Sequence, residues 1–391
     1  MRGAIGWAFY LASSWTWRIG MMLPALLTRD HGWPGFAVFA APNIIGAAAM
    51  GWVLTREASR RFVRDHRLAV GAFTVVTVFY QAYFLGWLFT GFYPVDTLTV
   101  LVPVLAGAWA LFAVLNGRGR SRLGAGLAWG VSVGVGLVLW ERGGLRWSAA
   151  QAGVLDEHAL WILPISSLGF LACPYLDVTF HTARQGMSAT HARAAFTLGF
   201  GVLFAAMIAL TYAARDQLAP IGGTGFGQAP GDLAFVYAVH AVVQLAFTAR
   251  LHADTARLNP DVRLGRAPIA WVIALGISLG IVASFWNLPG VAEVNARELA
   301  YRAILGAYGV VFPAYMLIAL ARRLRPFDHA AWSLLGGVVA VAAPFGWLGF
   351  VERESRWLVA AAAVVVAGGV ASALLGGRGV EQVAGGAADE R

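Results

Sequence analysis

Residues 158–182 read HALWILPISSLGFLACPYLDVTFHT. The stretch is apolar enough to cross about 30 Å of hydrocarbon as a helix, which takes roughly 20 residues. It nevertheless holds Pro164, Pro174, the pair Ser166-Ser167 and a carboxylate at Asp177. Proline inside a span frees carbonyls that another group must satisfy, and lipid offers none. Residues 12–20 read ASSWTWRIG, with Ser13-Ser14, Arg18, Gly20 and then Pro24, and carry the same signs of interruption. Both stretches are predicted to be broken membrane helices.

The rest of the chain supplies their setting. Of the 391 residues, 59% are hydrophobic and only 13% charged, with a mean hydropathy of +0.67; a water-soluble domain of this length does not have that composition. About 12 apolar spans are expected, at about 4–27, 33–54, 68–90, 97–116, 123–140, 158–182, 193–213, 231–252, 268–286, 300–321, 329–350 and 355–376. The fold class is therefore all-α, a polytopic integral membrane protein with the lipid bilayer as its partner. The single cysteine, Cys173, excludes a disulfide framework and a cysteine-based metal site. Every basic residue is arginine, and the positive charge has an explanation other than nucleic acid, which is not expected as a partner.

That explanation is orientation. Arginines crowd one set of alternating loops, including Arg56, Arg60, Arg61, Arg64 and Arg67, then Arg118, Arg120 and Arg122, and later Arg322, Arg323 and Arg325. By the positive-inside rule these loops face the cytoplasm, which puts both termini inside and predicts a multi-pass protein of the plasma (inner) membrane. Residues 1–27 lack a basic leading region beyond Arg2 and run directly into further spans, so they are not read as a cleavable signal.

Five spans follow the start of the first broken helix before the next begins. Five is odd, so a second set of five must lie inverted in the membrane. The division expected is a first five-helix repeat over 1–140, an outer loop over 141–157, an inverted repeat over 158–321, two peripheral helices over 322–376 and a disordered tail over 377–391. Interrupted helices at matching places in inverted halves point to a binding site at the membrane midplane.

Polar residues sharpen this. The sixth span carries Ser166, Asp177 and His181 on one helical stripe, the eighth Tyr237, His240, Gln244 and Thr248, and the third Thr74, Thr77, Gln81 and Tyr83. In hydrocarbon such stripes must face protein or a water-filled cavity, so spans 1, 3, 6 and 8 are expected to converge. The candidate solute-binding residues are Ser13, Ser14, Arg18, Gln81, Ser166, Ser167, His240 and Gln244, and Asp177 with His181 is a candidate gate or proton relay. Helix rise places Arg18 about 4 Å outward and Asp177 roughly 10 Å inward of mid-membrane, which argues against their direct pairing. A guanidinium at that depth fits either a bidentate hold on an anionic solute or a cap on the freed carbonyls.

Five-plus-five inverted spans, broken helices one and six, a site among helices 1, 3, 6 and 8 and two extra C-terminal helices resemble the LeuT-type fold of the amino acid/polyamine/organocation superfamily. Asp177, Thr182-Ala183-Arg184-Gln185 and Ala192-Arg193 are distantly similar to the inner loop of sodium/solute symporters. The resemblance implies a secondary active transporter, a permease or symporter, moving a small polar or anionic solute by alternating access without a cofactor. Its coupling ion is left open between sodium and proton, since the eighth span offers only Thr248 where those symporters carry neighbouring hydroxyls for sodium. Two other classes stand beside it. Residues 51–56 followed by Ser59-Arg60-Arg61 are similar to the basic loop of the major facilitator superfamily, though without its acidic residue. An integral membrane enzyme, or a non-transporting sensor or assembly partner, is the alternative function; for the enzyme the histidines are too scattered to give a metal-like cluster.

Overall fold

The computed structural model describes residues 2–15, 23–92, 97–117, 120–141, 147, 157–213, 231–258, 262, 264, 266–285 and 296–386. Its elements are α1 (Arg2–Trp15), α2 (Leu23–Val53), α3 (Arg56–Asp65), α4 (Arg67–Phe92), α5 (Thr97–Gly117), α6 (Ser121–Glu141), α7 (Glu157–Ala172) and α8 (Val178–Gln185). They continue with α9 (Ala189–Leu198), α10 (Ala205–Ala213), α11 (Gly231–Leu258), α12 (Arg266–Phe285), α13 (Ala296–Gly306), α14 (Phe312–Ala321), α15 (His329–Phe350) and α16 (Trp357–Gly386). Among the described residues, 10 stretches are long and apolar enough to cross a membrane. The protein is a polytopic all-α membrane protein. Arg18, the pivotal residue of the first span, lies outside the described residues, and α16 runs past residue 376, where the sequence reading begins the tail.

Four interruptions shape the described residues. Gly32 breaks α2 with φ 62° and ψ −158°, a left-handed conformation that costs a residue with a Cβ far more than glycine. It separates 23–31 from 33–53, and the latter makes up most of a membrane-spanning stretch. The sixth span is interrupted as its prolines predict: α7 gives way to a 3-10 turn at Cys173–Leu176 with Pro174 at its start, and α8 begins only after Asp177, whose backbone is extended. The seventh and tenth spans each carry a π-helical stretch, Gly199–Phe204 and Ala307–Val311. Widened turns of this kind recur at functional sites.

Helix packing pairs early elements with later ones reciprocally. The first span (α1) lies on the seventh (α9), and the sixth (α7) on the second (α2). The third (α4) lies on the ninth (α12), and the eighth (α11) on the fourth (α5). Glycine lets the α4–α12 pair close to backbone contact: a Cβ on Gly280 would stand 2.1 Å from the Tyr83 carbonyl oxygen, and one on Gly86 would stand 2.3 Å from that of Ile277. Without a hydrophobic drive between helices in lipid, such close approach supplies the van der Waals attraction that holds them.

Candidate functional site

The end of α1 is where the polar stripes meet. A helix leaves its last four carbonyls without partners of its own. At Ser13 that carbonyl accepts from the Gln244 side-chain amide of α11, while the Ser13 hydroxyl donates to the Ala125 carbonyl of α6 at 2.9 Å. Ser14 turns back to the Leu11 carbonyl at 2.9 Å. Next to it the fully buried Trp15 donates to Asn43 of α2 at 2.7 Å and packs against Phe180 of α8 at 5.2 Å between ring centres. Spans 1, 3, 6 and 8 do converge, through Gln244 to Ser13 and through His252 to both Thr74 and Asp177.

Beside this junction is a cavity of about 270 Å³. Tyr80 of α4, Ser166, Gly169 and Phe170 of α7 and Tyr308 of the π-helical stretch form its deep end. Tyr308 is held there by a hydrogen bond of 3.0 Å between its hydroxyl and that of Thr77. Its own carbonyl accepts from the Cys173 thiol at 3.5 Å, so the cavity floor abuts the break of the sixth span.

The opposite, open end carries charge. Arg302 of α13 bonds Asp30 of α2 at 2.7 Å, Glu298 one turn earlier at 2.8 Å, and the Phe350 carbonyl at 3.2 Å. Arg353 reaches the other Asp30 oxygen at 3.3 Å, and His158 meets Ser355 at 3.0 Å. A guanidinium is suited to this task because its planar fork serves several acceptors at once. The network fastens the start of α2 to α13 and to the segment between α15 and α16.

At the arginine-rich end the interior is shut. The short amphipathic helix α3, capped by the Thr55 hydroxyl accepting from Ala58 N at 3.0 Å, lays Ser59, Phe62 and Val63 against α8 and leaves its arginines exposed. Ser59 meets His181 Nδ1 at 2.9 Å, and His181 Nε2 sits 2.8 Å from the Tyr175 carbonyl. Since a carbonyl only accepts, the proton belongs on Nε2 and Ser59 donates to Nδ1. Phe62 stacks on His181 at 5.2 Å and lies tilted against His66 at 4.6 Å between ring centres. His66 in turn bonds the Tyr315 hydroxyl at 2.7 Å and the Leu324 carbonyl at 3.2 Å. Burial pushes the His66 imidazole below the usual histidine range, against the smaller opposing pull of the Leu324 carbonyl and the Asp65 carboxylate.

The residues singled out in the sequence are thus dispersed in role. Ser13 and Gln244 join at the end of α1 and Ser166 lines the cavity. Ser167 lies in an apolar groove between α7 and α16. His240 pairs with Ser132 of α6 at 2.6 Å, and Gln81 is buried with both amide atoms unpartnered. Asp177 and His181 do not face each other: Asp177 accepts from the Thr179 amide at 2.8 Å and its hydroxyl at 2.7 Å, while His181 serves the α3 contact. Sequence reasoning missed Asp30, Glu298, Arg302, Tyr80 and Tyr308. Glu298 and Arg302 at i,i+4 were a visible signal, but Asp30 lies far away in the chain, in α2. Among the described residues no three His, Cys, Asp or Glu side chains come together as a metal would require.

No family model and no curated protein matches the chain. Among solved structures, Mhp1, a nucleobase-cation-symport-1 family transporter in a closed conformation with bromovinylhydantoin bound, aligns over 97% of this chain and 92% of its own, with 13% identity and a TM-score of 0.49.

Proposed function

We propose that the chain is a secondary active transporter that moves a small polar or anionic solute by alternating access around the first and sixth spans. The observation that carries this reading is the cavity between the Asp30–Arg302 network and Tyr308, whose carbonyl touches Cys173 at the break of the sixth span, together with the packed contact between α3 and α8 at the arginine-rich end. A pathway open toward one side and shut toward the other is what alternating access requires, and interrupted helices are where such transporters place their solute sites.

The reciprocal packing of the two halves supports an inverted repeat with the boundaries expected from the sequence, 1–140 and 158–321, and 322–376 as peripheral helices. With the arginine-rich end in the cytoplasm, the cavity faces outward and the α3–α8 contact is the inner gate, with His181 within it. Tyr80, Ser166 and Tyr308 bring hydroxyls that both donate and accept hydrogen bonds to the cavity, which favours a polar solute. Arg302 is already occupied by two carboxylates, so an anionic group on the solute would be met by Arg18.

The test is entrance counterflow. Proteoliposomes holding the purified protein are loaded with a pooled metabolite library and given trace radiolabelled members outside. Transient accumulation of one solute class, faster than in empty vesicles, is the expected result. Absence of flux for every member, with chemical turnover of one of them in detergent, would replace the transporter by an enzyme.

A further inference from the structure

Asp177 and His252 are both completely buried, on different helices, and neither belongs to the cavity or to the α3–α8 contact. The imidazole Nε2 stands 4.0 Å from the Asp177 Oδ1, and its Nδ1 lies 3.3 Å from the Thr74 hydroxyl. Three spans, the third, sixth and eighth, meet at this point. We propose that Asp177 and His252 are the proton-binding site that couples solute movement to a proton gradient, an inference that rests on the transport reading above.

The chemistry follows from the surroundings. Asp177 caps α8, accepting from the Thr179 amide and hydroxyl. An imidazole is the side chain that ordinarily takes up a proton between about pH 5 and 8, so His252 is the member that accepts it. A proton taken up by His252 at Nε2 makes an imidazolium facing a carboxylate away from water, where their attraction is several times larger than in solution. The gap of 4.0 Å exceeds a hydrogen bond, which leaves a movement for protonation to drive. That movement matters because of what each helix holds. α11 carries Gln244, which secures the end of α1, and α8 carries His181, which secures α3. Drawing the two helices together on protonation therefore acts on the base of the pathway and on its inner closure in one step.

The neighbouring charges have other engagements. On α1, Tyr10 is buried within electrostatic reach of Asp177 and Asp254. On α11, Arg250 pairs with Asp254 at 2.9 Å, and Arg266 of α12 reaches the same carboxylate at 3.3 Å. On α8, Arg184 bonds the backbone carbonyls of Leu54 and Met187. His181 and His66 are held by the contacts given above, and Arg56, Glu57, Arg60, Arg61 and Arg64 of α3 are exposed. Tyr10 and His181 also feel the Asp177 carboxylate, and the His252 imidazole faces it from α11 at 4.0 Å.

The experiment separates the proton site from transport itself. Wild-type protein and His252→Gln, each purified in detergent and monodisperse, are taken in weakly buffered solution from about pH 8 to about pH 5, across the ordinary histidine range. Wild type should absorb about one proton per chain more than the variant. Equal uptake overturns the site whether or not the protein carries a solute. Asp177→Asn is the second variant, since asparagine caps a helix as well as aspartate and the fold should survive. It should hold the His252 proton about tenfold more weakly or worse; an unchanged uptake curve overturns the pairing. In proteoliposomes an inward proton gradient should raise wild-type solute accumulation, and accumulation that ignores the gradient while counterflow persists overturns the coupling but not the transporter. Absence of counterflow fails the transporter and leaves the uptake difference to stand as a proton site alone.

Discussion

The Gln244 side-chain amide donates to the main-chain carbonyl of Ser13, two residues before α1 ends. This single bond ties the eighth span to the broken end of the first, at a carbonyl that the helix itself cannot satisfy. Ser13 also donates to Ala125, so the first, fifth and eighth spans meet in one residue. Ser13, a candidate solute-binding residue in the sequence, also joins these spans through its hydroxyl and its carbonyl.

Replacing Gln244 by Leu removes the donor and strands the Ser13 carbonyl in a dry interior. The expected loss is about 1–3 kcal/mol of stability, read as a lower thermal midpoint of the purified protein. Gln244→Glu offers no donor when ionised and should be at least as damaging near neutral pH. A midpoint equal to wild type in both variants would show that the bond contributes nothing.

Arg302 serves two buried carboxylates, so its loss leaves Asp30 and Glu298 facing each other without the charge between them. Arg302→Leu should cost about 3–5 kcal/mol, the range for breaking a buried ion pair from one side. Arg302→Lys keeps the charge but cannot bond Asp30, Glu298 and the Phe350 carbonyl together. In a Cys173→Ala background, a cysteine at Ser166 should react faster with a soluble maleimide when Lys replaces Arg302, because the mouth is held less firmly. An unchanged labelling rate would remove the network from control of access to the cavity.

Much of the architecture was legible because its causes are local. Pro174 and the capping Asp177 lie in the same short stretch, and together they announce the break that the backbone makes at 173–177. Helical spacing put Thr74, Gln244 and Asp177 on inward faces, and each does face protein. What spacing cannot reveal is which inward residue meets which across the bundle. Asp177 and His181 are one turn apart in sequence, yet the interruption at 173–177 resets the helix, and each turns to a different partner, Asp177 to Thr179 and His252, His181 to Ser59. Ser166 and Ser167 read alike in sequence, but adjacent positions on a helix point about 100° apart; one lines the cavity and the other faces α16. Asp30 and Arg302 are 272 positions apart, and no local pattern in either segment names the other.

His66 supplies a pH dependence with a definite sign. Its imidazole is held below the ordinary histidine range in the fold, so the unfolded chain binds the proton more readily. Its contribution to stability is complete above the unfolded value of about 6.5 and is lost as pH falls from there through the lower folded value. His66→Gln, which can still accept from Tyr315 and donate to Leu324, should flatten the fall in thermal midpoint below about pH 6.5 relative to wild type. Parallel curves for the two proteins would mean that His66 is not among the groups setting acid sensitivity.

Orientation underlies every statement about inner and outer gates, and it can be tested without knowing the solute. Cys173 is buried and its replacement by Ala clears the background. In that background a cysteine at Arg64, on the exposed face of α3, should be silent to an impermeant maleimide added to intact cells and react once the cells are opened. A cysteine at Arg353, part-exposed beside the cavity mouth, should react from outside without opening them. The two sites lie at opposite ends of the same bundle, so one reversed result must come with the other if the molecule is simply inverted. Reactivity of both from outside would be a different matter: it would break the alternation of loops on which the twelve spans, the positive-inside assignment and the inverted halves all depend.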